Sequence, residues 1–258
     1  MQAPEPGGFT YPQPSTGSHP EPEWFTCQAS FHDLCTVHPE ILYEDNHLIA
    51  VNKPPGLAVQ GDVTGDVHLL DVVSDYLATK YNKPGKAFVG LIHRLDRPVS
   101  GVVLLARTSK ALARMNEQFR AKTTHKTYRA LVSNLPPQNS DTLTHYLGKD
   151  SKTHRALTYL KHKAGAKEAI LHYELLKHTP NGYLLDVQLE TGRFHQIRAQ
   201  LAKTGMPILG DVKYGAGTPL PNRSIALHAF SLEFIHPVTS EKILITAPYP
   251  KHPWWKGC

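Results

Sequence analysis

The chain has no lysine or arginine before Lys53. A secretory signal needs a basic leading segment and an organellar transit peptide needs arginines, so neither is expected here. Cysteine is scarce. Cys27, Cys35 and Cys258 are the only three, too few for a disulfide framework, and they read as thiols of a reducing compartment. Cys27, Cys35 and His38 imitate part of a zinc cluster, but a fourth ligand and paired C-x-x-C spacing are missing. No metal is therefore expected. No apolar run approaches the roughly 18 residues that a membrane span requires. A cytoplasmic protein without membrane association is the expectation. No internal repeat is visible.

What is present is basic. The 258 residues suffice for one large or two small domains, and 40% hydrophobic content is ample for a core. There are 28 Lys and Arg against 22 Asp and Glu, a net +6, with a pI near 9.1. That balance suits a polyanion but is common in proteins that bind none, so distribution matters more. Arg107 to Arg129 holds seven cations and one acid, Glu117; Lys149 to Lys167 holds six and one acid, Asp150. Clustered cations with Tyr, His and Arg among them are what a phosphate backbone requires. Two solvated faces are the plainer alternative.

Residues 1 to 22 contain six prolines and three glycines and read as a disordered tail. Residues 23 to 40 are ambiguous. From Ile41 the pattern alternates. His47 to Val51 reads as a strand and Lys53-Pro54-Pro55-Gly56 as a turn. Apolar spacing predicts a helix over 68–79. Strands are expected at 88–92 and 102–106, then a helix from Thr108 or Ser109 to about Lys122 with Leu112, Met115 and Phe119 inward. Tyr128 to Val132 reads as a strand, 140–180 as hairpins plus a basic loop, and Tyr183 to Leu189 as an alternating strand. A helix is expected from Arg193 to Thr204, stopped by Gly205, with Phe194, Ile197 and Leu201 inward. Strands at 225–234 and 241–246 follow. Mixed strands with few helices indicate α+β.

One segment carries the most chemistry. His93 to Gly101 reads H-R-L-D-R-P-V-S-G, with a single carboxylate, Asp96, among basic groups in a turn between two apolar runs. Loops at strand ends are where catalytic groups usually sit. An Asp that merely caps the turn is the plainer alternative. Two further segments stand out: T-G-R-F-H-Q-I-R at 191–198 and K-T-Y at 126–128.

Together these three segments resemble the active-site motifs of the RluA-like pseudouridine synthases. The likeness runs from about Ile41 to about Pro250. It includes I-L-Y-E-D-N-H-L-I-A-V-N-K-P-P-G-L at the start, P-I-L-G-D-V-K-Y-G at 207–215 and L-H-A-F-S-L-E-F-I-H-P-V-T at 227–239. Each piece alone is weak to moderate; six in family order make chance resemblance very unlikely. The resemblance implies a central mixed, mostly antiparallel sheet with helices and loops flanking a cleft. It implies a catalytic domain over 41–258. Residues 1–40 form a leader too short for the S4-type RNA-binding domain that many members carry. It also implies an RNA isomerase acting without a cofactor on uridines of rRNA or tRNA; a monomer is expected.

By the same resemblance Asp96 is the catalytic carboxylate, Arg198 its charge partner and Tyr128 the group that stacks on uracil or moves a proton. Arg193 is expected to contact phosphate or pack the turn. On a helix, 193 and 198 lie about 140° apart, so the two arginines cannot easily serve one carboxylate. His93 and Arg94 are expected to hold the flipped nucleotide or its phosphates, His195 to support the site, and Leu227 to pack on the base or, almost equally, in the core. Val99 and Phe194 stand where the family more often has Thr. Val99 thereby loses a hydroxyl contact that shapes the Asp96 turn.

Pseudouridine formation detaches uracil from C1′, turns it and rejoins it through C5. It needs a carboxylate to attack or to stabilise a cationic sugar, a proton-moving group and a pocket for the freed base. An Arg partner keeps the carboxylate ionised. A non-catalytic RNA-binding protein would have lost Asp96, Tyr128 or Arg198, and all three are present. A glycoside-type hydrolase needs a second carboxylate as acid. Asp211 is the nearest, and it reads as structural.

Overall fold

The computed structural model describes residues 39–61 and 65–258. The chain divides into Met1–Val37 and His38–Cys258. Cys27, Cys35, His38 and all but the last two residues of the expected leader lie outside the described residues.

In chain order the elements are β1 (Glu40–Glu44), β2 (Leu48–Lys53), α1 (Leu69–Lys80), β3 (Gly90–Leu91), β4 (Ser100–Ala106), α2 (Ser109–Ala121) and β5 (His125–Val132). Then come β6 (Ser140–Asp150), β7 (Arg155–Tyr159), β8 (Lys167–Thr179), β9 (Gly182–Leu189), α3 (Gln196–Lys203), β10 (Leu227–Ile235) and β11 (Lys242–Thr246). The strands form one eleven-stranded sheet in the order β1-β2-β4-β10-β5-β9-β8-β6-β7, with β11 beside β10 and β3 beside β4. Among the described pairings, only β4 with β10 is parallel, where Ser100 and Gly101 face His228 and Ala229. The fold is α+β, as expected.

The continuous apolar run of β4 has a direct cause. Every residue from Ser100 to Ala106 is buried, because both faces of the sheet are covered here. Val103 and Leu105 pack with Ile49 and Val51 beneath α1 residues Leu69, Val73 and Leu77. Val102, Leu104 and Ala106 pack on the other face with Ala111 and Met115 of α2. Sequence alternation vanishes in a strand buried on two sides. Both helices begin on side-chain caps. His68 accepts from the Asp71 N–H, and Thr108 Oγ1 accepts from the Ala111 N–H at 3.2 Å, filling donors that a helix start leaves open.

Two expectations shift. The strand expected at 88–92 shortens to Gly90–Leu91. β3 occupies β4 only opposite Leu105 and Ala106, and β10 takes the other end. Between them the Leu104 N–H donates to His93 Nε2 at 3.0 Å, so an imidazole fills a gap in the ladder. The hairpins and basic loop expected over 140–180 are present as antiparallel β6, β7 and β8, with 160–166 as the basic connection, and β6 and β8 run to 11 and 13 residues. The helix expected from Arg193 begins at Gln196.

Candidate active site

The loop that carries Asp96 is fixed from below. Its turn closes through the Val99 N–H, which donates to Asp96 O at 3.0 Å; a Thr hydroxyl is not needed to form it. Lys53, at the end of β2, is fully buried. Its Nζ donates to Pro54 O at 2.9 Å, Leu57 O at 2.8 Å and Arg97 O at 3.2 Å. Three carbonyls take the three N–H groups of an ammonium, and one of them belongs to the residue after Asp96. Burial pulls the Lys53 pKa down to about 7, with the Asp96 charge opposing. The sequence reading saw only a turn at K-P-P-G. An apolar strand ending on a lysine was the available signal.

The start of α3 supplies the partner. Gln196 is buried, and its Oε1 accepts from the Thr191 hydroxyl at 2.8 Å and the Arg193 N–H at 2.9 Å. Its Nε2 donates to Ile170 O at 3.0 Å. This brace pins residues 191–193 into a turn, and His195 follows at φ 51°. The helix therefore begins three residues late, for a local reason. Arg193 is not on it, and the 140° separation expected on helical geometry does not apply. Arg193 is exposed and donates from Nε to Glu168 O at 2.9 Å, away from Asp96.

Arg198 bridges two carboxylates. Its Nη1 lies 3.2 Å from Asp96 Oδ2. Its Nε and Nη2 donate to the two oxygens of Asp211 at 2.7 and 2.8 Å. Asp211 is 1% exposed, whereas the Asp96 side chain keeps 29% of its surface open. Asp211 is thus committed to holding the guanidinium, and Asp96 faces the cavity. Burial opposes the Arg198 charge, but the two carboxylates outweigh it and raise its pKa further.

Tyr214, which the sequence reading did not single out, completes the cluster. Its hydroxyl accepts from the Ala156 N–H at 2.7 Å and lies 2.8 Å from His195 Nδ1. Donating its own proton to Nδ1 leaves the proton of His195 on Nε2, which faces Asp96 Oδ2 at 3.5 Å. Burial pushes the His195 pKa down to about 4, with Asp96 opposing, so the ring is neutral at physiological pH. The Arg198 guanidinium lies over the Tyr214 ring at 5.0 Å. Phe194 stacks on the His195 ring and is only half-buried.

All eight residues expected at the site line one cavity of about 710 Å³: His93, Arg94, Asp96, Tyr128, Arg193, His195, Arg198 and Leu227. Tyr128 rises from β5. Burial, and next the Asp96 charge, raise its pKa, so the phenol is protonated; among the described residues its hydroxyl has no hydrogen-bond partner. Leu227 is buried at the start of β10. Arg94 is exposed at the rim. His93 lines the cavity but is tied down at Nε2 by Leu104. Burial, and next the Lys126 charge, push its pKa to about 3. Its ring stacks on Phe119 and offers no free acceptor on that side. Among the described residues no group of His, Cys, Asp or Glu is arranged to hold a metal. No described helix is long and apolar enough to cross a membrane.

Residues 47–203 match the RNA pseudouridylate synthase family, and this stretch holds Asp96, Tyr128 and Arg198. The chain belongs to that family. Its members are isomerases acting on RNA, and the RluA-like resemblance read from the motifs agrees. An uncharacterized RNA pseudouridine synthase, YhcT of Bacillus subtilis, is 35% identical over 214 residues, covering 82% of this chain and 68% of that protein. Ribosomal large subunit pseudouridine synthase C of Buchnera aphidicola subsp. Schizaphis graminum is 36% identical over 215 residues, covering 81% of this chain and 66% of its own length. Among solved structures, human RNA pseudouridylate synthase domain containing 4 superposes with a TM-score of 0.68 at 26% identity, over 82% of this chain and 89% of that one. The fold and the family are settled together.

Proposed function

We propose that this synthase isomerises uridine in structured RNA, with Asp96 as its catalytic carboxylate. The observation that carries this is the convergence of groups from three distant segments on one cavity, with Asp96 3.2 Å from a buried arginine and still partly open. The target uridine leaves its stack, at a cost of a few kcal/mol that a looped base lowers. Asp96 attacks or stabilises the reacting nucleotide as the N1–C1′ bond breaks. Arg198 sets its positive charge 3.2 Å from that carboxylate. Tyr128 lies against the uracil ring, its protonated hydroxyl awaiting a partner from substrate, and Leu227 packs the other side. Uracil turns and bonds through C5 to C1′; the C5 hydrogen leaves as a proton and N1 takes one up, so the product is an isomer of the substrate. No metal or organic cofactor enters this scheme. His195 stands beside Asp96 as a neutral ring, its Nε2 3.5 Å from Oδ2. Residues 41–258 are the catalytic domain, working in the cytoplasm as a monomer.

The names of relatives favour ribosomal RNA. Besides the Buchnera protein, ribosomal large subunit pseudouridine synthase D of Xanthomonas campestris pv. campestris is 33% identical over 228 residues, covering 82% of this chain and 66% of that protein. Transfer RNA is the second class. Mapping pseudouridine across total RNA of a deletion strain and its parent identifies the target. On that RNA carrying 5-tritiated uridine, Asp96→Asn should keep fold and affinity yet release no tritium. Release at an appreciable fraction of the parent rate would remove Asp96 from this role.

A further inference from the structure

We propose that Lys126 is the seat for a phosphate of the extruded nucleotide, inside the cavity and one step outward from the base. This rests on the uridine-binding reading of the same cavity.

Lys126 and Tyr128 are two apart on β5. They therefore point to the same face, about 7 Å apart along the strand. Both line the cavity, Tyr128 beside Asp96 and Lys126 nearer the strand's start, where exposed Lys122 and His125 mark the rim. The Lys126 Nζ lies 5.3 Å from the centre of the Phe119 ring. It would be 3.8 Å from a Cβ built on Gly192, so the bare backbone of the T-G-R turn leaves the space next to it open. Among the described residues no carboxylate or carbonyl accepts from this ammonium, although nine lysine or arginine pairs with carboxylates are formed. Burial lowers its pKa.

A half-buried cation without a counter-charge is costly unless a ligand supplies one. The neutral carbonyls of uracil would not; a phosphodiester would, with charge-assisted hydrogen bonds. The position agrees, since a nucleotide with its base against Tyr128 carries its phosphates toward the rim. Lys126 differs in this from the exposed cations outside the cavity, which meet phosphates of any nucleotide.

The test uses uridine, uridine 5′-monophosphate, uridine 3′-monophosphate and inorganic phosphate, titrated calorimetrically into the full chain and into Lys126→Met and Lys126→Arg. At least one monophosphate should bind the parent about tenfold or more tighter than uridine, the effect of one charged hydrogen bond. Lys126→Met should erase that gap and Lys126→Arg should retain most of it. A gap that persists in Lys126→Met, or its absence from the parent, overturns the proposal. If inorganic phosphate and the monophosphates bind in a Lys126-dependent way while uridine has no affinity, the phosphate seat stands and the uridine pocket falls.

Discussion

Arg198 shows how one side chain can serve structure and chemistry at once. Two of its donors are spent on Asp211, and a third reaches Asp96. Removing it strands a fully buried carboxylate, a loss of about 3–5 kcal/mol. Arg198→Ala should therefore lower the melting temperature by roughly 10 °C as well as the rate, whereas Asp96→Asn, on a partly open group, should leave melting nearly unchanged. Equal melting of the two variants by calorimetry would deny Asp211 its anchoring role. Histidines make a second statement at this scale. Burial holds His93, His195 and His228 near 3, 4 and 4, below the ordinary 6.5. Their folded pKa values are depressed, so the unfolded chain takes up their protons first. Their stabilisation is complete above about pH 6.5 and is lost as pH falls toward 4. Between pH 6.5 and 5, where most carboxylates stay ionised in both states, proton uptake on unfolding should rise from about one and a half to nearly three. A flat denaturation midpoint across that window would contradict the neutral, buried rings.

At the scale of elements, the brace at the start of α3 governs where Arg198 and His195 stand. Gln196→Leu leaves the Arg193 N–H without its acceptor and the Thr191 hydroxyl with only Ile170 O, at 3.4 Å, costing about 1–3 kcal/mol. It should lower the single-turnover rate more than RNA affinity. An unchanged rate would show that the turn holds without it. The same brace explains what the sequence could and could not disclose. Apolar periodicity located α1 and α2 to within a residue or two, because each buries one stripe against a sheet face. It placed the start of α3 wrongly, because Gln196 bonds backward across a turn that no periodicity records. It also missed Lys53 and Tyr214, whose roles depend on carbonyls and rings brought from elsewhere in the chain. The eight cavity residues were legible through motifs, not through spacing. Long β6 and β8 were hidden by charged residues on their open face, since only Ala169, Leu171 and Tyr173 of β8 alternate cleanly inward.

For the molecule as a whole, the question is how far the basic runs lie from the chemistry. The 149–167 run is not uniform. Arg155 stacks over Tyr214 at 5.6 Å and Lys149 over Phe194 at 5.2 Å, both beside His195, so neutralising them would disturb the site. Lys152, Lys161 and Lys163 are exposed. Changing these three to Gln should reduce the slope of log affinity against log salt by about 2. The single-turnover rate at saturating RNA should hold. Normal binding at all salt concentrations would make that face a solvated surface only.

The parallel contact between β4 and β10 has a consequence for how the protein is made. β10 lies between β4 and β5, yet it is synthesised about 95 residues after the end of β5. Until then two inner strands present open edges, a hazard for pairing with other chains. This late contact is also the tightest: a side chain at Gly101 would collide with the Ala229 backbone. The middle of the sheet is thus closed late and through its narrowest gap. On a ribosome this orders events by chain position. A nascent chain stalled before Leu227 holds two half-sheets with no strand to join them, and should depend on holding chaperones in proportion to the length of the pause.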